Sequence, residues 1–260
     1  DDYIPNRLIS RDEEVQVVAN NFDTIFDKST PSNLIIYGKS GTGKSVVVKY
    51  VLKKLDEEIK KRNEDIDVSY AFVNCKNVSA ITHIIYEIVT DIYPETSMSK
   101  KGNAKHEARK YLWDTINALE TNLILILDEA DNIADQDLLY SLSRAKSMYL
   151  NDKSGICTIC LSNDVLFSEN LDSRIKSSLR PKTMVFKPYD ADQLLNILED
   201  RKHAFEDGAL DYSAIALCAA YAAQEHGDAR KALDLLDSAG QIAKNREDTV
   251  VTQEHVELAY

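Results

Sequence analysis

The sequence has 260 residues, of which 44% are hydrophobic and 28% are charged, and its formal net charge is −12. This length accommodates one large α/β domain and a smaller second one. The acidic balance argues against a surface covered in phosphate contacts, so DNA would have to meet a local basic patch or a part of the protein outside this sequence. The longest apolar run, residues 123–127, is too short to cross a bilayer, and the first residues lack the features of a signal peptide.

From the first residues to Phe186, short apolar runs alternate with longer amphipathic ones. The apolar runs are rich in Ile, Val and Leu and are predicted as strands buried on both faces, at residues 34–37, 68–74, 123–127, 156–161 and 183–186. The runs around them have a helical period and are predicted as helices at residues 13–26, 44–63, 79–93, 104–120 and 136–149. This alternation predicts a five-stranded parallel sheet covered by helices.

The character of the sequence changes after Phe186. Pro188 and Asp190 interrupt the pattern, and Asp190 is predicted to be the N-cap of the helix that follows. Only helical periods appear beyond it, at residues 191–203, 212–224, 229–245 and 252–259. We therefore predict an α/β domain over residues 1–188 and a small all-helical domain over residues 189–260.

The four cysteines are predicted to be core residues of a protein in a reducing, cytosolic compartment. Cys157 and Cys160 form a C-x-x-C pattern, which redox and metal sites share, but the residues around them are typical of a buried strand. Residues three apart on a strand point to opposite faces, so the two sulfur atoms would diverge. Since no second Cys or His pair stands at zinc spacing, we favour structural cysteines.

The first strand leads into an octapeptide that matches G-x-x-x-x-G-K-[ST] at every position. Its glycines allow backbone N–H groups to turn inward around phosphate oxygens, and the helix that begins near Lys44 directs its positive end at the same anion. Lys44 would reach the β- and γ-phosphates of a nucleotide, and Ser45 would bind Mg²⁺. The order strand, loop, helix argues against a chance glycine-rich turn. The predicted nucleotide-binding stretch is Gly38, Lys39, Ser40, Gly41, Thr42, Gly43, Lys44, Ser45 and Val46.

The third predicted strand is followed directly by Asp128 and Glu129. Ligands of parallel sheets bind at the carboxyl ends of the strands. Asp128 therefore fits the carboxylate that holds Mg²⁺ through water, and Glu129 fits the general base that activates a water molecule. The alternative is that both acids are solvated residues at a strand end. Asp131 is predicted to cap a helix rather than to act in catalysis.

Together these residues resemble an AAA+ ATPase, and the sequence in detail is similar to the origin-recognition and cell-division-cycle replication initiators, especially the archaeal branch. The resemblance covers nearly the whole chain, through residues 3–5, 11–14, 36–45, 72–75, 127–131, 161–164, 172–179 and 227–233. The last two stretches discriminate best, because many families share the phosphate loop. The resemblance implies an αβα P-loop sandwich followed by a helical lid. It also implies binding of ATP or ADP with Mg²⁺, and slow hydrolysis as a switch.

The resemblance further implies roles for single residues. Asn163 would be a polar sensor of the γ-phosphate or the attacking water, and Arg230 would reach from the lid to the phosphates. Arg174 would be an arginine finger for the ATP site of a neighbouring subunit. The plainer alternatives are a loop cap for Asn163, a surface charge for Arg230 and an ordinary ion pair for Arg174. The adenine pocket would be lined by Tyr3, Ile4 and Pro5, with Tyr189 at the hinge nearby.

The partners implied are origin DNA, other AAA+ initiator subunits and a replicative helicase, which would make the protein cytoplasmic and nucleoid-associated. Two helices rather than one are predicted between the second and third strands, and the initiators carry an extra helix there that touches DNA. Phosphate contact and a solvated face are both compatible with its basic residues, Lys100, Lys101, Lys105, Arg109 and Lys110. The family usually continues into a winged-helix domain after the lid, and the main origin contacts are expected in that domain.

Two alternative functions stay open beside the initiator switch. One is another AAA+ machine, such as a clamp-loader subunit or a transposition helper, against which the Arg174 segment and the extra helix argue. The other is a scaffold that keeps a nucleotide as a structural ligand without hydrolysing it, against which Glu129 argues.

Overall fold

The computed structural model describes residues 7–62, 66–78, 80–100 and 102–260. In this part of the chain one sheet has the strand order β2-β3-β4-β1-β5. Its strands are β1 Leu34–Tyr37, β2 Val68–Asn74, β3 Asn122–Asp128, β4 Gly155–Ser162 and β5 Lys182–Val185. All neighbouring strands run parallel, and β3 and β4 are buried along nearly their whole length. The predicted parallel sheet is confirmed, and each strand end differs by at most one residue from the prediction. The prediction that every strand is buried on both faces is wrong for β5, an edge strand whose residues are exposed apart from the half-buried Met184.

Helices precede, separate and follow the strands, as the periodicity predicts. Their bounds are α1 Asp12–Phe22, α2 Lys44–Arg62, α3 Ile81–Ile92, α4 Lys105–Leu119, α5 Asp137–Ser143, α6 Ala145–Met148, α7 Phe167–Asn170 and α8 Ser173–Leu179. The inward side chains of β2, β3, α3 and α4 share one apolar core, in which Ile84, Leu112 and Leu125 are completely buried.

The prediction of one helix over residues 136–149 is wrong, because the helix is interrupted at Arg144 between α5 and α6. The hydroxyls of Ser141 and Ser143 donate to the carbonyls of Leu138 and Tyr140, each at 2.8 Å. Serine side chains that bond backbone carbonyls in this way compete with the helical pattern and favour its end. The short helices α7 and α8 are not apparent from the hydrophobic periodicity, because each has too few turns to produce a helical pattern in the sequence.

Beyond β5 the chain is helical, with α9 Ala191–Asp200, α10 Tyr212–Glu225, α11 Ala229–Asn245 and α12 Gln253–Ala259. Asp190 caps α9 as predicted, since its carboxylate accepts from the Gln193 N–H at 2.8 Å and the Gln193 side chain bonds back to the Asp190 N–H at 3.1 Å. The four helices enclose their own apolar core, which contains Leu194, Leu198 and Val256. The predicted all-helical lid is confirmed.

The described chain forms two compact units. One unit contains the sheet and comprises residues 16–37 and 51–185; the other contains the lid helices and comprises residues 7–15, 38–50 and 186–260. The second unit therefore includes the glycine-rich loop, and the predicted domain boundary after residue 188 stays a prediction. None of the helices in the described part combines the length and the apolar character that crossing a bilayer requires.

Candidate functional site

The phosphate loop, residues 38–45, connects β1 to α2 and has the backbone that an anion cradle needs. Gly41 has φ +71° and Gly43 has φ +91°, a region that residues with a side chain rarely adopt. A Cβ at Gly43 would stand 2.6 Å from the Tyr189 hydroxyl, so only glycine fits there. The loop therefore combines left-handed turns with the N-terminus of a long helix, which is the arrangement that presents backbone N–H groups to phosphate.

Lys44 is 7% exposed, and its ammonium group lies within the loop. Its Nζ donates to the carbonyls of Gly38 at 2.7 Å and Lys39 at 3.0 Å. A buried ammonium is stable only with such acceptors or with an anion. The loop thus holds a positive charge where the resemblance expects the β- and γ-phosphates, and its donor set fits a nucleotide. Ser45, the first helical residue after Lys44, offers the kind of hard oxygen ligand that Mg²⁺ prefers.

The carbonyl groups of the same loop are bound by distant parts of its unit. The Gly41 carbonyl accepts from the Ala229 N–H of α11 at 3.2 Å. The Thr42 carbonyl accepts from Arg11 Nε at 3.1 Å. Asp228 caps α11 by accepting from the Arg230 N–H at 2.8 Å, and a Cβ at Gly41 would overlap its carboxylate. Both the start of α11 and the residue before α1 therefore touch the loop directly.

Tyr189 and Arg230 both stand beside this loop. Tyr189 is 6% exposed, and its N–H donates to the Gly227 carbonyl at 3.1 Å. Burial raises the pKa of Tyr189, an effect that the adjacent Arg11 opposes. Arg230 follows Ala229 directly at the start of α11 and is exposed. These placements agree with a hinge role for Tyr189 and a lid-borne cation at Arg230, both of which stay predictions. Tyr3, Ile4 and Pro5 lie outside the described residues.

The acidic strand end belongs to the sheet unit. Asp128 is the last residue of β3, and its Oδ1 accepts from the Glu129 N–H at 3.0 Å. Glu129 has φ +51°, a left-handed conformation that is strained for a residue with a side chain. Lys76 Nζ lies 3.9 Å from Glu129 Oε2.

The prediction that Asp131 caps a helix is wrong. Asp131 lies inside a short 3₁₀ turn, residues 130–132, and its Oδ1 accepts from the Ser162 hydroxyl at 2.7 Å and from the Asn163 N–H at 3.1 Å. Ser162 is the last residue of β4, which pairs with β3. The carboxylate therefore joins the two strand ends and fixes the backbone of Asn163, the predicted sensor.

Arg174 stands in the first turn of α8 and is 71% exposed. Its Nε and Nη2 donate to the two carboxylate oxygens of Asp172 at 3.0 and 2.9 Å. The contact lowers the pKa of Asp172 to about 2, mainly through the side-chain hydrogen bond from Arg174. An exposed ion pair of this kind adds little stability, so the arginine remains available to a partner at small cost.

The basic segment around α4 carries less unpaired charge than its sequence indicates. Lys105 pairs with Asp135 at 2.6 Å, and Arg109 Nη2 lies 3.8 Å from Asp137. Lys100 lies over the Tyr86 ring, with its Nζ 5.8 Å from the centroid. Lys101 is outside the described residues. Of the four basic residues of this segment that the structure describes, Lys105 and Arg109 thus have carboxylate neighbours, and phosphate contact and a solvated face both stay open.

All four cysteines are buried and free, as predicted. Burial raises the pKa of both Cys157 and Cys160 to about 12, so neither thiol ionises near neutral pH. The C-x-x-C pattern is therefore structural.

Comparison with protein families gives two matches. Residues 27–161 match the family of the AAA domain, and residues 195–260 match the Cdc6 AAA+ ATPase-type lid domain. The first match covers more than half of the chain and includes the phosphate loop, Asp128 and Glu129. The chain belongs to the AAA+ ATPase family. The lid match confirms the resemblance to the cell-division-cycle branch of this family.

Several proteins can be aligned with this AAA+ ATPase over almost its whole length. It is 40% identical to the ORC1-type DNA replication protein of Thermococcus kodakarensis, over 98% of this chain and 62% of that protein. It is 37% identical to ORC1-type DNA replication protein 15 of Haloarcula marismortui, over 99% of this chain and 64% of that protein. The chain thus spans somewhat less than two thirds of these relatives. Among solved structures, the Aeropyrum pernix ORC1 protein in complex with DNA has a TM-score of 0.88 and 35% identity, over 99% of this chain and 66% of that one.

Sequence reasoning missed two contributors to the loop of this AAA+ ATPase. From the sequence, Arg11 stands out only within the stretch that carries the resemblance, and Asp228 only within the segment that contains Arg230. Asp228 had a signal, since it directly precedes a predicted helix and Asp is a preferred N-cap. Arg11 had none, because a single arginine before an amphipathic helix is ordinary.

Proposed function

We propose that this chain is the ATP-binding, slowly hydrolysing part of a DNA replication initiator that acts in origin recognition and helicase loading. The observation that carries the proposal is the phosphate loop, which has two left-handed glycines and binds the ammonium of buried Lys44 through the carbonyls of Gly38 and Lys39. The whole-length similarity to ORC1-type DNA replication proteins supports the biological setting. Origin DNA, further initiator subunits and a replicative helicase are the proposed partners.

In this proposal each site residue has one task. The backbone of residues 38–46 and the Lys44 ammonium bind the phosphates, and Ser45 and Asp128 hold Mg²⁺, which neutralises phosphate charge. Glu129 accepts a proton from the attacking water, and Asn163 orients that water or the γ-phosphate. Arg230 contacts the phosphates from the lid, and Tyr3, Ile4, Pro5 and Tyr189 contact the base.

Slow turnover follows if Arg174 serves the site of another subunit. An arginine finger adds charge stabilisation only when the neighbouring subunit has docked. The chain alone then binds nucleotide well but hydrolyses it slowly. The hydrogen bond from the Ala229 N–H to the Gly41 carbonyl connects the phosphate loop to the lid helix α11. A change of the loop on loss of the γ-phosphate therefore also changes the start of α11.

Titration with labelled ADP tests the nucleotide site. Removing the Lys44 ammonium in Lys44→Ala deletes a charge-assisted contact, so we expect at least about a tenfold loss of affinity. Lys60→Ala is the matched control, because Lys60 is on the same helix with its side chain 80% exposed. Equal ADP affinity of wild type and Lys44→Ala would refute the assignment, and a similar loss in Lys60→Ala would attribute the effect to net charge.

A further inference from the structure

Arg11 is a buried cation at the junction of three separate segments of its compact unit. Its side chain is 3% exposed, and it precedes α1 directly. Its partners are the Thr42 carbonyl in the phosphate loop, the Lys187 carbonyl in the linker to the lid, and the Glu14 carboxylate. Burying a charge is costly unless such acceptors surround it, so a cation at this position indicates a specific task.

The contact with Thr42 supplies a hydrogen-bond donor to a carbonyl group of the phosphate loop. A loop that turns its N–H groups toward an anion turns carbonyl groups away from it, and a buried carbonyl requires a donor. Thr42 is completely buried, and Arg11 Nε supplies the donor at 3.1 Å. The residue thereby holds the peptide that precedes Gly43 and Lys44 in its orientation.

The same guanidinium also holds the linker, residues 186–189. Arg11 Nη2 donates to the Lys187 carbonyl at 2.6 Å. The plane of the group lies against Tyr189, with 3.8 Å from Arg11 Cζ to the ring centroid, and the Phe186 ring is 5.4 Å away. Tyr189 in turn brings its hydroxyl against Gly43, where a Cβ would stand 2.6 Å from it. One planar cation thus reaches the loop twice, directly at Thr42 and through Tyr189 at Gly43.

We propose that Arg11 is a positioning residue that locks the phosphate loop to the linker and so sets the affinity for nucleotide without touching it. Glu14 orients the guanidinium through Nη1 at 2.6 Å and balances its charge. The inference rests on the proposed nucleotide-binding function and deepens it. Lysine does not replace arginine in this role, because one ammonium lacks the planar fork that serves Thr42, Lys187 and Glu14 together.

The first test compares ADP affinity and stability in Arg11→Gln, Arg11→Lys and the control Lys187→Gln. Lys187→Gln removes a positive charge from the linker but keeps the carbonyl that Arg11 uses. Because charged hydrogen bonds are lost at the loop, we expect Arg11→Gln to bind ADP about 10- to 100-fold more weakly. Arg11→Lys should be intermediate, and Lys187→Gln should match wild type. Wild-type affinity in both Arg11 variants, with binding lost in Lys44→Ala, would overturn the inference and leave the proposed function standing.

The second test separates positioning from a general structural role. In Arg11→Ala, millimolar ethylguanidinium should restore ADP affinity at least in part, whereas a merely destabilised protein would gain nothing from this additive. A folded Arg11→Ala variant that binds weakly and is not rescued would count against the inference. If Arg11 variants do not fold, Glu14→Gln takes their place, since it leaves the guanidinium in position but without its counter-charge. It should weaken ADP binding by a few-fold at a temperature where the variant is fully folded, and wild-type affinity in it would overturn the inference.

Hydrogen exchange without nucleotide makes the inference testable independently of the proposed function. In Arg11→Gln, or in Glu14→Gln if the former does not fold, the backbone amides of residues 38–46 and 186–190 should exchange faster than in wild type. The amides of α10 in the same unit should be unchanged. Uniformly faster exchange throughout the unit, or no change at the loop, would refute the coupling. A wild-type chain that binds no ADP would defeat the proposed function, while the exchange result would still decide whether Arg11 holds the loop.

Discussion

The phosphate loop and the acidic strand end are built in opposite ways. The loop is held through its backbone carbonyls, by donors that come from residues 11 and 229, far away in the sequence. The acidic end is held through a side chain, since the Asp131 carboxylate accepts from Ser162 and Asn163 at the end of the adjacent strand. The loop depends on remote segments of its unit, whereas the acidic end depends on the sheet that carries it.

Because they are built differently, the two regions are suited to different chemical tasks. A backbone cradle recognises the charge and shape of phosphates and contributes little to proton transfer. A carboxylate at a strand end can accept a proton or hold a cation, and Glu129 is fixed there in a left-handed conformation. Changes in the loop should therefore alter binding, and changes at the acidic end should alter turnover or local stability.

The largest expected effect is on hydrolysis, in Glu129→Gln. Replacing the general base should lower single-turnover ATP hydrolysis by about 10²- to 10⁴-fold, because the amide cannot accept the proton from water. ADP affinity should stay within about twofold of wild type, since the loop is unchanged. Quenched-flow measurement of ATP hydrolysis, with added partner subunits and DNA to raise the basal rate, checks the first expectation.

Glu120→Gln is the matched control for this variant. Glu120 also has a left-handed backbone, φ +48°, and also pairs with a lysine, at 2.6 Å from Lys153. The Glu120→Gln variant should hydrolyse ATP at the wild-type rate. Undiminished hydrolysis in Glu129→Gln would instead favour a scaffold that carries nucleotide as a structural ligand.

The two regions also differ in how much of them is visible in the sequence. Each strand end was predicted within one residue, because runs such as Leu123 to Leu127 are buried on both faces and carry a strong pattern. The loop was predicted because its glycines and lysine have fixed spacing. The contacts of Arg11 with Thr42 and Lys187 and the bridging role of Asp131 are not visible there, since each joins residues that are about 30 or more apart in the sequence.

A smaller effect, on binding, is expected for Gly41→Ala. Gly41 combines φ +71° with direct apposition to the Asp228 carboxylate, so a methyl group strains the backbone and displaces the cap of α11. We expect ADP affinity to fall by roughly 30-fold, which corresponds to about 2 kcal/mol. Isothermal titration of ADP into the variant measures this loss.

Gly208→Ala isolates the contribution of the backbone angle. Gly208 has φ +83°, but nothing lies within 4 Å of a Cβ built on it. This variant should lose about 1 kcal/mol of stability and no ADP affinity. If Gly41→Ala binds ADP as Gly208→Ala does, the close approach of Asp228 to the loop has no role in binding, and the contrast between the two regions weakens.

The smallest effect should appear at the acidic strand end, in Asp131→Ala. The substitution removes the acceptor for the Ser162 hydroxyl and the Asn163 N–H, and because Asp131 is exposed we expect a loss of only about 1 kcal/mol in urea unfolding. Ser162→Ala removes one of the two bonds, so the double variant should be less destabilised than the sum of the single ones. Strict additivity would show that the carboxylate does not join the two strands.

Because Asp131 fixes the backbone of Asn163, Asp131→Ala should also slow hydrolysis with ADP affinity unchanged, which would place the effect in turnover rather than in binding.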